Sequence, residues 1–393
     1  MPQHTRSMAS SSTPSRGRRS EGSTAKARDR VKKVKNSYGR RVPNAANSTA
    51  VDPSGPAMID FAEAAYDLEA EPDEWLPRLV AAGEPVLNRG LGVVAFTCRR
   101  PQKPGPLEIE HLHVAFGSDE LEQSIRRLVG DLDTKLLWPI AKPGMPKSLS
   151  QAAEDHDPQV FKLVMSYFSA AKDGLGIPAF DPDGRGVYLI PVLPRVTTLS
   201  ERSRERWQML AAHFGAGHRL RRALFDSHAE RPTPTDLPYG AESLIDPTDF
   251  RVAEAQGAAK SPSALNALRD SAVTIDRARG RMRESDPAKA LELWRALVRG
   301  RWSTVDWFDT DGRRYVLGIP NAPDVIDPRG LTERETQVVA YANLGLTNQM
   351  IGYNLGITKG RVSTLLTSAM RKLGVKTRAQ LVKTLRDFGD VFE

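Results

Sequence analysis

LTNQMIGYNLGITKGRVSTLLTSAMRKLGV, residues 346–375, contains two helix patterns and a very short turn between them. Thr347 stands where an N-cap side chain accepts from the free amides of a first turn. Met350, Ile351 and Leu355 then recur on one face, and Gly356 supplies the stop. Only Gly356 and Ile357 precede Thr358, a second N-cap. Beyond it Val362, Leu366, Ala369 and Leu373 are spaced four, three and four apart, which predicts a buried stripe bordered by Leu365. The opposite face holds Gly360, Ser363, Thr364, Thr367 and Arg371, mostly side chains too short to fill a core.

The preceding stretch, LTERETQVVAYANLG (331–345), follows the same logic. Thr332 and Glu335 have capping-box spacing behind a staple-like Leu331; Val338, Val339 and Ala342 form the apolar stripe, and Gly345 ends it. Two helices joined by so tight a turn, the second one basic, make a helix-turn-helix. Such a second helix enters the major groove of double-stranded DNA, and small polar residues let its backbone approach the base edges. Ser363, Thr364 and Thr367 are therefore the expected base-reading residues. Lys359, Arg361, Arg371 and Lys372 are placed to meet phosphates, as are Thr347, Asn348 and Thr358 at the amide ends of the helices.

LTERETQVV, LTNQMIGYNLGIT, RVSTLLTSAMRKLGV and KTRAQLV together resemble the LuxR-type helix-turn-helix domain of bacterial transcription regulators, over residues 329–393. The resemblance implies an all-α, four-helix domain whose third helix reads DNA. Its last helix, starting near Thr377, would pair two subunits into a homodimer, and RNA polymerase is a further partner it allows. Two departures stand out. The family's usual Thr-Val-Lys-x-His is here Arg361, Val362, Ser363, Thr364, Leu365, and its Lys-Glu-Ile-Ala is Gln349, Met350, Ile351, Gly352. The sequence preference of relatives therefore does not carry over. Two alternatives stay open: a promoter-reading domain of sigma-factor type, which shares the LT-x-RE opening, and a protein-binding adaptor with a degenerate helix-turn-helix.

Charge is uneven along the chain. Residues 1–50 hold twelve Lys/Arg against two acids, although the 393-residue chain has a net charge of only +8. A second basic concentration follows residue 358. Residues 1–56 lack the apolar content to form a core and read as a disordered basic tail; Met8 and Met58 offer alternative starts. The longest apolar runs, such as VYLIPVL from Val187, are too short to span a bilayer. One cysteine, Cys98, excludes an intramolecular disulfide and any multi-cysteine metal site. A cytoplasmic, nucleoid-associated protein is expected.

Between tail and helix-turn-helix, the pattern reads as α+β. Helix over 59–82 broken near Pro72, strands at 91–98 and 107–116, a helix capped by Ser118, a strand RGVYLIPVL and a long helix from Ser200 to about Phe225 make one unit, 59–230. RPTPTDLPYG (231–240) is a linker by composition. A second unit, 238–320, has a hairpin at ESLIDPTDFRVAEA, helices over 263–299, and a hairpin WSTVDWFDTDGRRYVLGI turning at Asp311-Gly312. The first weakly resembles a GAF-type sensory domain and the second a PAS-type unit, implying a signal-sensing or dimerising role with an unidentified small-molecule ligand. APDVIDPRG (322–330) links to the last domain.

Signs of chemistry are sparse. His111 and His113 share a strand face without an evident third metal ligand, and Cys98 reads as a small core residue. Trp294, Trp302, Trp307 and Phe308 read as core, or else as the lining of a ligand pocket. No phosphate-binding loop, nucleophile elbow or HExxH pair is present. The expectation is a non-enzymatic regulator with no cofactor and no metal; a catalytic regulator is the reading from another class.

Overall fold

A computed structural model describes residues 52–99, 107–131, 145–155, 157–229, 237–323, 325 and 330–389. The predicted basic tail lies outside these residues except for 52–56. Two antiparallel sheets, helices on their faces and a C-terminal helical array make up the fold.

The chain begins with α1 (Ala57–Ala64) and α2 (Pro72–Ala82). Proline at N1 with Asp73 and Glu74 in the first turn suits the start of α2, and its inner face buries Trp75, Leu76, Leu79 and Val80. After a helical turn, α3 (Glu84–Leu87), come β1 (Val93–Arg99), β2 (Glu108–Ala115) and α4 (Asp119–Asp131). The Ser118 hydroxyl accepts from the Leu121 amide, as its N-cap position predicts. Next are β3 (Lys147–Ser148), α5 (Leu149–Glu154), α6 (Pro158–Met165), β4 (Asp173–Phe180) and β5 (Arg185–Leu193). The first sheet runs β2-β1-β5-β4-β3. One face sends Val93, Ala95, Ile177, Val187 and Leu189 into the main core. The other packs Val94, Phe96, Cys98, Tyr188 and Val192 with Leu121 and Ile125 of α4.

Strand β4 has no counterpart in the sequence reading. Its residues, DGLGIPAF, are all buried, so no polar alternation marks it. Two glycines and a proline lower its strand propensity further. Pro178 is tolerated because β3 pairs only with Leu175 and Gly176, leaving the proline's missing N–H on an unpaired side.

Helix α7 (Glu201–Ala229) organises everything that follows. Residues 207–221 are buried without interruption, although they include His213, His218, Arg219 and Arg221. A helix enclosed on all sides carries no amphipathic signature. Gly217 allows one neighbour close: a Cβ there would overlap the Ala65 carbonyl at the end of α1. Arg219 and Arg221, buried within the helix, both have hydrogen-bond partners. Arg219 is ion-paired with Asp181, and its Nε donates to the carbonyl and side-chain oxygens of Asn321 at 3.1 and 3.0 Å.

The second sheet runs β7 (Arg251–Ala255), β6 (Ser243–Asp246), β9 (Arg314–Pro320), β8 (Trp302–Phe308). Between β7 and β8 lie α8 (Pro262–Arg279), α9 (Arg281–Ser285) and α10 (Pro287–Leu293). Both predicted hairpins form, and Gly312 takes φ +79° in the second turn. Trp294 and Trp302 are buried, the latter donating its indole N–H to Glu242 at 2.8 Å, whereas Phe308 is 59% exposed at the hairpin end. One cluster of buried apolar side chains is continuous from Met58 through Trp294 to Leu381 in the last helix. Among the described residues, no helix is long and apolar enough to cross a membrane.

Candidate nucleic-acid interface

Four helices close the chain: α11 (Glu333–Asn343), α12 (Asn348–Leu355), α13 (Lys359–Lys372) and α14 (Arg378–Gly389). Their ends are set by local chemistry. The capping box of α11 is complete, Thr332 accepting from the Glu335 amide while Glu335 accepts from the Thr332 amide. Thr347 accepts from the Met350 amide at 3.3 Å and Thr358 from the Arg361 amide at 3.2 Å. Gly356 closes α12 at φ +64°, a left-handed conformation that favours glycine. Thr377 and Gln380 cap α14 reciprocally, the Thr377 hydroxyl accepting from the Gln380 amide and Gln380 Oε1 from the amides of Lys376 and Thr377.

On α13, Val362, Leu365, Leu366 and Ala369 are buried. Gly360, Ser363, Thr364, Thr367 and Arg371 are all exposed on the opposite face. Leu365 belongs to the core, so its departure from the usual motif removes no side chain from the exposed face. Lys359, Arg361 and Arg371 are exposed and have no ion-pair partner among the described residues. Two other expected phosphate contacts have intramolecular commitments. Lys372 Nζ pairs with Glu335 Oε2 at 2.6 Å, and Asn348 bridges Arg378 and Ser363.

The Glu335 carboxyl is pulled down to about 2 by the hydrogen bond from Lys372, with further bonds from Ser368 and the Thr332 amide. A folded-state value below the usual carboxylate range stabilises the fold above pH 4.5, and that contribution disappears as pH falls toward 2. Lys372→Met is expected to lower stability at pH 7 by about 1–2 kcal/mol, the low end for a buried carboxylate losing a half-exposed partner. The deficit should shrink toward pH 2, as measured by denaturant melts at several pH values. Melts of the variant that match the wild type at pH 7 would show the pair to be energetically idle.

The face of the array away from the exposed side of α13 is packed on the rest of the chain. Tyr353 of α12 is buried, and its hydroxyl donates to the Leu291 carbonyl at 2.7 Å. The same oxygen meets His213 Nε2 at 2.8 Å, and His213 Nδ1 meets the Tyr66 hydroxyl at 3.0 Å. One neutral tautomer fits the chain: Nε2–H donates to Tyr353, Tyr353 O–H donates to Leu291, and the single Tyr66 hydroxyl proton is shared between Nδ1 and the Ala296 carbonyl at 3.4 Å. Burial pushes the His213 imidazole down to about 3, opposed only in part by the Trp294 backbone, which keeps it neutral. Tyr341 of α11 lies against Arg219 of α7. Arg334 Nη1 donates to the Gly300 carbonyl at 3.0 Å, and Gln337, fully buried, donates to the Pro323 carbonyl at 3.4 Å. Gly356 sits directly on the backbone of Leu297 and Arg299.

None of Tyr341, Tyr353 or Arg378 was singled out in the sequence. For the tyrosines the only signal is a large aromatic just off an apolar stripe, and for Arg378 its place in the stretch KTRAQLV. Elsewhere, His111 and His113 lie on edge strand β2, and among the described residues no group of three or more His, Cys, Asp or Glu is placed to hold a metal ion. Residues 329–385 match the family model described as bacterial regulatory proteins, luxR family. A search of curated proteins finds no match to the chain.

Proposed function

We propose, from the premise that residues 329–385 are a LuxR-family helix-turn-helix domain, that the chain is a bacterial transcription regulator whose helix α13 reads double-stranded DNA. The exposed polar face of α13 carries this reading, since Ser363, Thr364 and Thr367 are flanked by Lys359, Arg361 and Arg371, cations without an ion-pair partner among the described residues. The short side chains let the helix backbone approach base edges, and the cations and the capped ends at Thr347 and Thr358 supply phosphate contacts. In a homodimer, two such helices about 34 Å apart would enter successive major grooves. We assign the α+β regions 59–230 and 238–320 a sensory role, GAF-like and PAS-like respectively, in which a ligand or partner changes dimer geometry. The buried links from α7 to Tyr341 and Tyr353 support a mechanical route for such a change.

Full-length protein binding to duplex DNA should weaken steeply with salt as condensed counterions are released. Arg371→Ala should weaken all sequences alike and lower the log–log salt slope by about one, while Thr364→Ala and Thr367→Ala should change sequence preference instead. Binding that ignores salt would favour the adaptor reading. A uniform loss in all three variants would mean that another face of α13 meets the DNA.

A further inference from the structure

A directional chain of hydrogen bonds ends on the exposed face of α13. Arg378 Nη1 donates to Asn348 Oδ1 at 2.9 Å, Asn348 Nδ2 donates to Ser363 Oγ at 3.1 Å, and Ser363 Oγ donates to the Lys359 carbonyl at 3.2 Å. The polarity is not arbitrary. A guanidinium only donates, so the amide oxygen of Asn348 must face Arg378 and its NH2 must face Ser363. Arg378 is itself anchored, donating to the Leu346 carbonyl as well.

Around Ser363 Oγ there are three non-carbon positions. One is filled by the Asn348 N–H. The second faces the Lys359 carbonyl and must hold the hydroxyl proton, because a lone pair there would meet another oxygen's lone pairs. The third points outward and is left with a lone pair. Thr364 is similar but less constrained, its hydroxyl donating to the Gly360 carbonyl at 3.1 Å.

We infer that Ser363 meets DNA as a hydrogen-bond acceptor and selects the exocyclic amino group of adenine or cytosine, with Asn348 and Arg378 as the positioning residues that fix its polarity. The inference rests on the DNA-reading role proposed above. In the major groove those two amino groups are the base donors, whereas guanine O6 and N7 and thymine O4 only accept. A serine free to rotate would serve either set; the bridge removes that freedom.

The test begins with binding-site selection using full-length wild-type protein and Ser363→Ala, which identifies the base pair that Ser363 governs. At that pair, the amino-bearing base is replaced by an analogue lacking only the amino group: purine for adenine, or 2-pyrimidinone for cytosine. Wild-type affinity should fall roughly tenfold, the worth of one good buried hydrogen bond, and Ser363→Ala should be indifferent to the replacement. Asn348→Ala should reduce the penalty to less than about threefold, because Ser363, no longer held by the bridge, can leave the rotamer that faces the Lys359 carbonyl and present its proton outward. Circular dichroism would establish that both variants are folded.

If deleting the amino group costs nothing while deleting the opposing carbonyl oxygen or ring nitrogen weakens binding, Ser363 is a donor and the inference fails. It also fails if Ser363→Ala leaves every position of the selected site unchanged. A full penalty retained in Asn348→Ala removes the positioning role of the bridge. Absence of any selected site in wild type would instead overturn the DNA-reading proposal itself.

Discussion

Gly356→Ala is expected to cost the full-length protein on the order of 3–4 kcal/mol, against about 1 kcal/mol for Gly345→Ala. Both glycines have left-handed backbones, at φ +64° and +86°, and both follow a helix of the DNA-binding array. The conformational penalty for a Cβ is therefore shared. Their surroundings differ. Nothing lies within 4 Å of a Cβ built on Gly345, whereas one on Gly356 overlaps the Leu297 carbonyl oxygen and comes within 2.7 Å of the Arg299 amide nitrogen. Those are backbone atoms in a turn where Arg299 and Gly300 are themselves left-handed, so they cannot swing aside as a side-chain tip would. Relief requires α12 to lift away, exposing Tyr353 and breaking its bond to Leu291. Urea melts of the two variants measure the difference, and hydrogen exchange across residues 348–357 locates it. Similar losses at both sites would mean that the helix-turn-helix does not rest on residues 297–299 in solution.

That contact marks the boundary of what the residues revealed in advance. The starts of α11, α12 and α13 were legible because capping is local: a threonine and the amides it caps lie within three residues of one another. The exposed face of α13 was legible for a similar reason, since a helical repeat alone separates Val362, Leu366 and Ala369 from Ser363, Thr364 and Thr367. The loss of availability at Lys372 and Asn348 was not. It depends on Glu335 and Arg378, which are 37 and 30 residues away and meet them only after folding. Strand β4 was hidden by complete burial. Helix α7 was itself legible from Ser200 onward, but its enclosure was not. His213, His218, Arg219 and Arg221 are of types that water usually solvates, yet all four are buried, and Tyr66, Tyr353, Asp181, Asn321 and the carbonyl groups of Asp67 and Ala70 satisfy three of them. Hydrogen-bonding residues on a helix do not announce whether water or protein will be the partner.

The same buried groups should make the protein markedly sensitive to mild acid. Burial pushes both His213 and His218 down to about 3 in the folded chain, from 6.5 when unfolded. Below pH 6.5 the unfolded state takes up protons that the folded state refuses, so stability is present above that value and is lost on acidification. Each group's slope approaches about 1.4 kcal/mol per pH unit below pH 6.5, so the pair should remove roughly 4 kcal/mol between pH 7 and 5. Burial also raises the carboxyls of Asp181 and Glu63, and those groups act in the opposite sense as pH falls. The informative quantity is therefore the difference between wild type and His213→Gln, in which the acids cancel. Glutamine can accept from Tyr66 and donate to Tyr353 without titrating. Its melts should be modestly weaker at pH 7 and should lose about 2 kcal/mol less than wild type by pH 5. Identical slopes would show that His213 is hydrated or charged in the folded protein. The hydrogen-bonded path from Tyr66 to Tyr353, and the mechanical link it offers between α7 and the DNA-binding array, would then have to be abandoned. A reduced slope would place the neutral imidazole between the two tyrosines, where undocking the array requires exposing three hydrogen-bonding groups at once.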